Sequence, residues 1–120
     1  MHTRNQKLAQ SAYQRVSQRA ISDKYKTAAK KFPALIHTCG LAQAVAFGMA
    51  KKDYHEYLDD LAVVLQTLQY PVTTRSELDA RSRQAGLIEY LRLSRDAIDV
   101  GSWLKRYVEA VSPEPEDDNA

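Results

Sequence analysis

The chain has 120 residues and a formal net charge of +2; at about 150 residues per domain this is one domain. An apolar content of 44% beside 27% charged residues fits a globular protein with one core. A single cysteine, Cys39, excludes an internal disulfide framework and points to a reducing, cytoplasmic setting, while four glycines and four prolines are too few for a turn-rich β-sandwich or a glycine-rich phosphate loop.

From the N-terminus, Met1-His2-Thr3-Arg4-Asn5-Gln6 leads into no apolar run, so no secretory signal is expected. Leu8, Ala12, Val16 and Ala20 recur every fourth residue and predict a first helix over about residues 3–20. Gln6, Gln10, Gln14 and Gln18 form a second column on that helix, read as a polar face. Ser22 is a suitable cap for a long second helix over about 22–50, and Asp23 suits its positive end. Pro33 lacks a backbone donor and is expected to kink or break this helix nearby. No formal charge falls between Lys31 and Lys51, and lysine pairs flank the run. It holds Pro33, His37, Thr38 and Gln43 and is rich in alanine and glycine, which argues for a central bundle helix and against a membrane span.

Tyr54, Tyr57, Leu58, Leu61, Val64, Leu65 and Leu68 make a full apolar stripe and predict a third helix over about 53–69. Tyr70-Pro71-Val72-Thr73-Thr74 is the clearest loop. Ser76 is the expected cap of a short helix near 75–84. A last helix over about 85–111 carries two apolar columns, Leu87, Leu91 and Ile98, then Leu104, Val108 and Val111, with Gly101 between them as a candidate bend. The tail from Ser112 to Ala120 has two prolines and four acids without a large apolar residue, and is expected to be disordered. No strand pattern and no repeat is visible. The reading is an all-α, single-domain bundle of about five helices over residues 1–111, followed by that acidic tail.

The search for chemistry finds no catalytic constellation. His37 and Cys39 are two apart and point to different sides of a helix. His55 and Asp59 share a face, but two ligands are not a metal site, and no HExxH or CxxC accompanies them. Cys39 reads as a buried, inert thiol. Asp59 and Asp60 diverge by about 100° on a helix and do not converge on one reacting atom. Tyr54, Tyr57, Tyr90 and Tyr107 sit at core-compatible positions, and Trp103 is read as packed or at an interface. We therefore expect no enzyme activity, no metal and no cofactor.

Charge is the stronger signal. Residues 1–52 hold ten Lys and Arg against one acid, while residues 53–112 hold seven against ten. Arg15 and Arg19 lie one turn apart, as do Lys26 and Lys30; Lys24 and Lys31 form an adjoining column. Lys51-Lys52 ends the apolar run, and Lys105-Arg106 lies in the last helix. Such columns suit a phosphate backbone contacted by charge alone. Their plainer reading is a solvated basic face.

Four segments then become specific. Tyr25-Lys26-Thr27-Ala28-Ala29-Lys30-Lys31-Phe32-Pro33-Ala34-Leu35-Ile36 leads into Gly40-Leu41-Ala42-Gln43-Ala44-Val45-Ala46-Phe47. Glu89-Tyr90-Leu91-Arg92-Leu93-Ser94-Arg95-Asp96-Ala97-Ile98 and Trp103-Leu104-Lys105-Arg106-Tyr107 follow. In this order and spacing the chain resembles the small helical subunit of the Cmr complex, the type III-B CRISPR RNA-guided effector, over about residues 4–111. The Trp-Leu-Lys-Arg ending fits that family better than the small subunit of the type III-A complex. Ser94 stands where threonine is commoner in the family, and the acidic tail is idiosyncratic and carries no inherited role.

The resemblance implies an α-helical subunit without enzymatic activity. It implies copies stacked inside the effector, beside other subunits, helping to hold guide RNA and target RNA. On the resemblance, Lys26, Lys30, Lys31, Lys105 and Arg106 inherit the RNA-facing role. Arg15, Arg19, Lys24, Lys51 and Lys52 follow from charge alone. The alternative expectation is a helical protein–protein adaptor without nucleic-acid binding. A metal-dependent enzyme centred on His55 and Asp59 is the third.

Overall fold

The computed structural model describes residues 1–112; the tail expectation lies outside the described residues apart from Ser112. Among the described residues six α-helices follow in chain order: α1 (Arg4–Ser17), α2 (Asp23–Cys39), α3 (Leu41–Ala50), α4 (His55–Gln66), α5 (Arg75–Gln84) and α6 (Leu87–Val111). A single 3-10 turn, Lys52–Tyr54, leads into α4. No strand occurs among the described residues.

Local chemistry sets most boundaries. Thr3 caps α1 in a capping box: its hydroxyl accepts from the Gln6 amide at 3.1 Å, and Gln6 Oε1 accepts from the Thr3 amide at 2.8 Å. The helix stops at Ser17, three residues before the predicted end, and Ala20 falls outside it. Ser22 caps α2 as expected, accepting from the Tyr25 amide at 3.1 Å. Thr74, two residues before the predicted Ser76, caps α5 by accepting from the Glu77 amide at 3.2 Å.

The long second helix is two helices, and this raises the count from the expected five to six. The break falls at Gly40, seven residues beyond Pro33, through which α2 runs on to Cys39. Gly40 has φ +84° and ψ 162°, a region essentially closed to residues with a Cβ. The Ala42 amide in the first turn of α3 donates to the Tyr90 hydroxyl at 3.1 Å, which ties the restart to α6. Gly101 marks no break, and α6 is continuous through it. Its missing side chain lets α2 approach instead: a Cβ there would stand 3.0 Å from Pro33 Cγ and 3.2 Å from the Tyr57 hydroxyl.

The core centres on α4, whose Tyr57, Leu58, Leu61, Val64 and Leu65 are fully buried. At about 1.5–3 kcal/mol per large apolar side chain, this one face contributes on the order of 10 kcal/mol of gross burial. The buried stripe of α6 is Leu93, Ala97, Val100, Leu104 and Val108. Leu87, Leu91 and Val111, which belonged to the predicted columns, are exposed. Among the described residues no helix is long and apolar enough to cross a membrane.

Candidate nucleic-acid interface

Three helix pairings decide where the basic residues gather. Pro33 lies beside Gly101, and Gly40 and Ala42 lie beside Tyr90, so α2 runs antiparallel to α6. Arg4 pairs with Asp96 and Asp99, and Tyr13 meets Tyr107, so α1 runs parallel to α6. Arg19 reaches Glu56 and Lys24 reaches Asp53, which brings the start of α4 to the same end. One end of the bundle therefore collects the C-terminal halves of α1 and α6, the N-terminal half of α2 and the Lys51-Lys52 corner. The ten basic residues singled out in the sequence fall on or beside those segments.

Their environments differ. Lys30, Lys31, Lys51, Lys52 and Arg106 are exposed, and Lys26 and Lys105 are half-buried. Lys24 is exposed with Asp53 at 3.5 Å, a pairing that solvent weakens. Lys51 lies over the Phe47 ring at 5.1 Å.

Arg15 and Arg19 are engaged inward. Asp60 on α4 is fully buried and accepts from Arg15 Nε at 2.9 Å, Arg19 Nε and Nη2 at 2.8 Å, and the Tyr25 hydroxyl at 2.5 Å. Arg19 Nη1 donates to Glu56 at 2.6 Å. The hydrogen bond to Asp60 chiefly holds the Arg19 proton above its ordinary range. Burial first, then the Asp60 charge, pushes the Tyr25 hydroxyl up. Asp60 thus locks α1 and α2 onto α4.

A second buried acid repeats the device at the other end of α1. Asp96, on α6, accepts from Arg4 at 2.5 Å and from the Tyr70 hydroxyl at 2.6 Å. Neither acid was singled out for this role in the sequence. A carboxylate three residues after one buried apolar residue and four before another, as Asp60 stands between Tyr57 and Val64 and Asp96 between Leu93 and Val100, is the only local hint, and the partners lie far along the chain.

The residues weighed for catalysis or metal binding are otherwise occupied. The His55 ring nitrogen Nε2 bonds the Met49 carbonyl at 2.8 Å. Asp59 accepts from the Arg75 amide at 2.7 Å and its guanidinium at 2.8 Å. Cys39 is half-buried, not fully buried, because it ends α2 beside Gly40; its thiol donates to the Leu35 carbonyl at 3.2 Å. No cluster of three His, Cys, Asp or Glu suited to a metal occurs among the described residues.

A family model described as CRISPR-associated protein (Cas_Cmr5) matches residues 4–111. The chain belongs to the Cmr5 family. The CRISPR system Cmr subunit Cmr5 of Thermus thermophilus is 37% identical in an alignment of 119 positions that covers 95% of this chain and 100% of that one. The crystal structure of a CRISPR-associated Cmr5 family protein from the same organism shares the fold at a TM-score of 0.81 and 35% identity. It covers 91% of this chain and 97% of the other. The matched span of this Cmr5 chain takes in all six helices, so the basic end lies wholly within the family's fold.

Proposed function

We propose that this chain is a non-catalytic structural subunit of an RNA-guided type III-B CRISPR effector, acting in antiviral defence. It stacks in several copies, meets other subunits, and contacts the backbone of guide and target RNA through the basic end of the bundle. The observation that carries the RNA contact is the gathering of lysines and arginines from α1, α2, α6 and the Lys51-Lys52 corner at one end. Lys26, Lys30, Lys31, Lys105 and Arg106 lead the proposed contacts. Arg15 and Arg19 contribute less, because their donors already serve Asp60.

Such contacts carry no base sequence, so affinity should be indifferent to sequence and fall steeply with salt. Anisotropy of a labelled single-stranded RNA tests this. Each lysine or arginine lost from a true phosphate contact should reduce the log–log salt slope by about 0.7. Binding that ignores salt, or no binding at low salt, would overturn the reading.

The opposite end of the bundle favours a second reading. Leu87, Ile88 and Leu91 are 74%, 81% and 60% exposed and share the first turns of α6. An apolar patch of this kind suits a protein neighbour, as in a helical adaptor without nucleic-acid binding. In the stacked reading the same patch serves the protein contacts. Gentle purification of the tagged protein from its host separates the two. Guide RNAs together with several larger subunits support the effector, and protein partners without RNA support the adaptor.

A further inference from the structure

Two features of the sequence are left unused by phosphate contacts: the glutamine column of α1 and the single tryptophan. They meet along the seam between α1 and α6. Trp103 stacks on Tyr107 with ring centroids 5.9 Å apart and planes at 20°. Tyr13 meets Tyr107 edge-on at 5.6 Å and 71°. Tyr13, at the outer end of this three-ring ladder, is 49% exposed. Beside it lies a cavity of about 600 Å³ whose lining includes Gln6, Lys7, Gln10, Gln14, Tyr13 and Tyr107. That volume falls within the range of about 300–1,000 Å³ typical of small-ligand sites.

The lining decides what fits. The Gln10 and Gln14 amides each offer both a donor and an acceptor, and so does the edge of a nucleobase. An apolar protein side chain in the cavity would bury those amides without partners, which is costly. A base has a π-face for the exposed tyrosine whatever its identity. Lys7 also lines the cavity and supplies a charge for the adjoining phosphate of the same strand, and Lys105 and Arg106 occupy the turn between Trp103 and Tyr107.

We propose that the α1–α6 seam is a base-binding site that takes one base of a single-stranded RNA, stacked against Tyr13 with its edge toward Gln10 and Gln14. The proposal rests on the RNA reading above and deepens it: it adds a stacking subsite to a surface otherwise read as phosphate-contacting alone. Because all bases stack, the site tolerates sequence, and it discriminates RNA from a bare polyanion.

Trp103 is the only tryptophan, so its emission reports on this ladder alone. The full-length chain is titrated with octa-adenylate RNA and, separately, with inorganic polyphosphate, reading Trp103 fluorescence and labelled-RNA anisotropy together. The RNA should quench Trp103, and polyphosphate should bind without quenching. Tyr13→Ala should weaken RNA binding about 5- to 100-fold, leave the salt slope unchanged and leave polyphosphate affinity unchanged. Tyr13→Phe should retain binding. Gln10→Glu, on an exposed position that leaves the fold alone, should weaken RNA binding and serves if Tyr13→Ala fails to fold. RNA binding with a normal salt slope, no quenching and no effect of Tyr13→Ala or Gln10→Glu would overturn the base site while leaving the phosphate contacts standing. An absence of RNA binding at low salt would overturn both.

Discussion

Replacing Asp60 with alanine tests the clasp that joins α1 and α2 to α4. The carboxylate accepts four hydrogen bonds, three from guanidinium groups and one from the Tyr25 hydroxyl. Tyr25 is only 2% exposed, so its hydroxyl would be left buried without that partner, at about 1–3 kcal/mol. The Arg15 and Arg19 side chains are 32% and 23% exposed and can turn toward water. Their lost bonds are therefore discounted from the usual charged-group value to about 1 kcal/mol for each arginine. The total is about 3–5 kcal/mol, the range found when a buried ion pair loses one member. For a chain of this size each kcal/mol moves Tm by about 4 °C, so the melt followed by far-UV circular dichroism should fall by about 12–20 °C. Combining Asp60→Leu with Tyr25→Phe removes the orphaned hydroxyl and should recover about 1–3 kcal/mol relative to Asp60→Ala. An Asp60→Ala variant within about 1 kcal/mol of the parent in urea titration would refute the argument.

Three further outcomes follow from single features. The Tyr57 hydroxyl is buried and has no hydrogen-bond partner among the described residues, so Tyr57→Phe should be neutral or stabilise by up to about 1 kcal/mol in urea titration; a clear loss would show that the hydroxyl has a partner. Gly40→Ala forces a Cβ into a region of positive φ and should cost about 1–3 kcal/mol by the same measurement, whereas a gain would mean that the α2–α3 break is not held. Burial first, and then its bond to Asp96, push the Tyr70 hydroxyl up to about 12. The unfolded chain releases this proton first, near pH 10, so the associated stability is complete below pH 10 and is lost as pH rises through about 12. The urea midpoint should fall across that window, and Tyr70→Phe should flatten the fall; a parent midpoint that holds steady to pH 12 would contradict it.

The periodic elements were legible in the sequence because their signals are local. The stripe of α4, the extent of α5 and α6, and the Ser22 cap all rest on residues within a turn or two of one another. The Gly40 break was not legible. Alanine-rich sequence on both sides favours continuous helix, and only a tertiary tie from Tyr90 to Ala42 reveals the restart. Pro33 gave the stronger local warning, yet α2 runs through it, packed against the space that Gly101 leaves. The candidate interface divides the same way. Lysine and arginine columns are visible as charge, and their gathering at one end of the bundle depends on α2 running antiparallel to α6. The conversion of Arg15 and Arg19 into ligands of Asp60 needed a partner 45 and 41 residues away.

The directions of the helices bear on the order in which the molecule can form. Both α1 and α2 lie along α6, and Arg4 closes on Asp96 across 92 positions of chain. During synthesis the first two helices emerge long before the surface that covers them. Their apolar stripes, Leu8, Ala12 and Val16 on α1 and Ala29, Phe32 and Ile36 on α2, can close in part on α4, where Phe32 meets Tyr57 at 5.4 Å, but their cover is incomplete until α6 has been made. Complete burial of those stripes therefore waits on the last helix, and a nascent chain halted before α6 would carry its basic segment and a partly uncovered core at the same time.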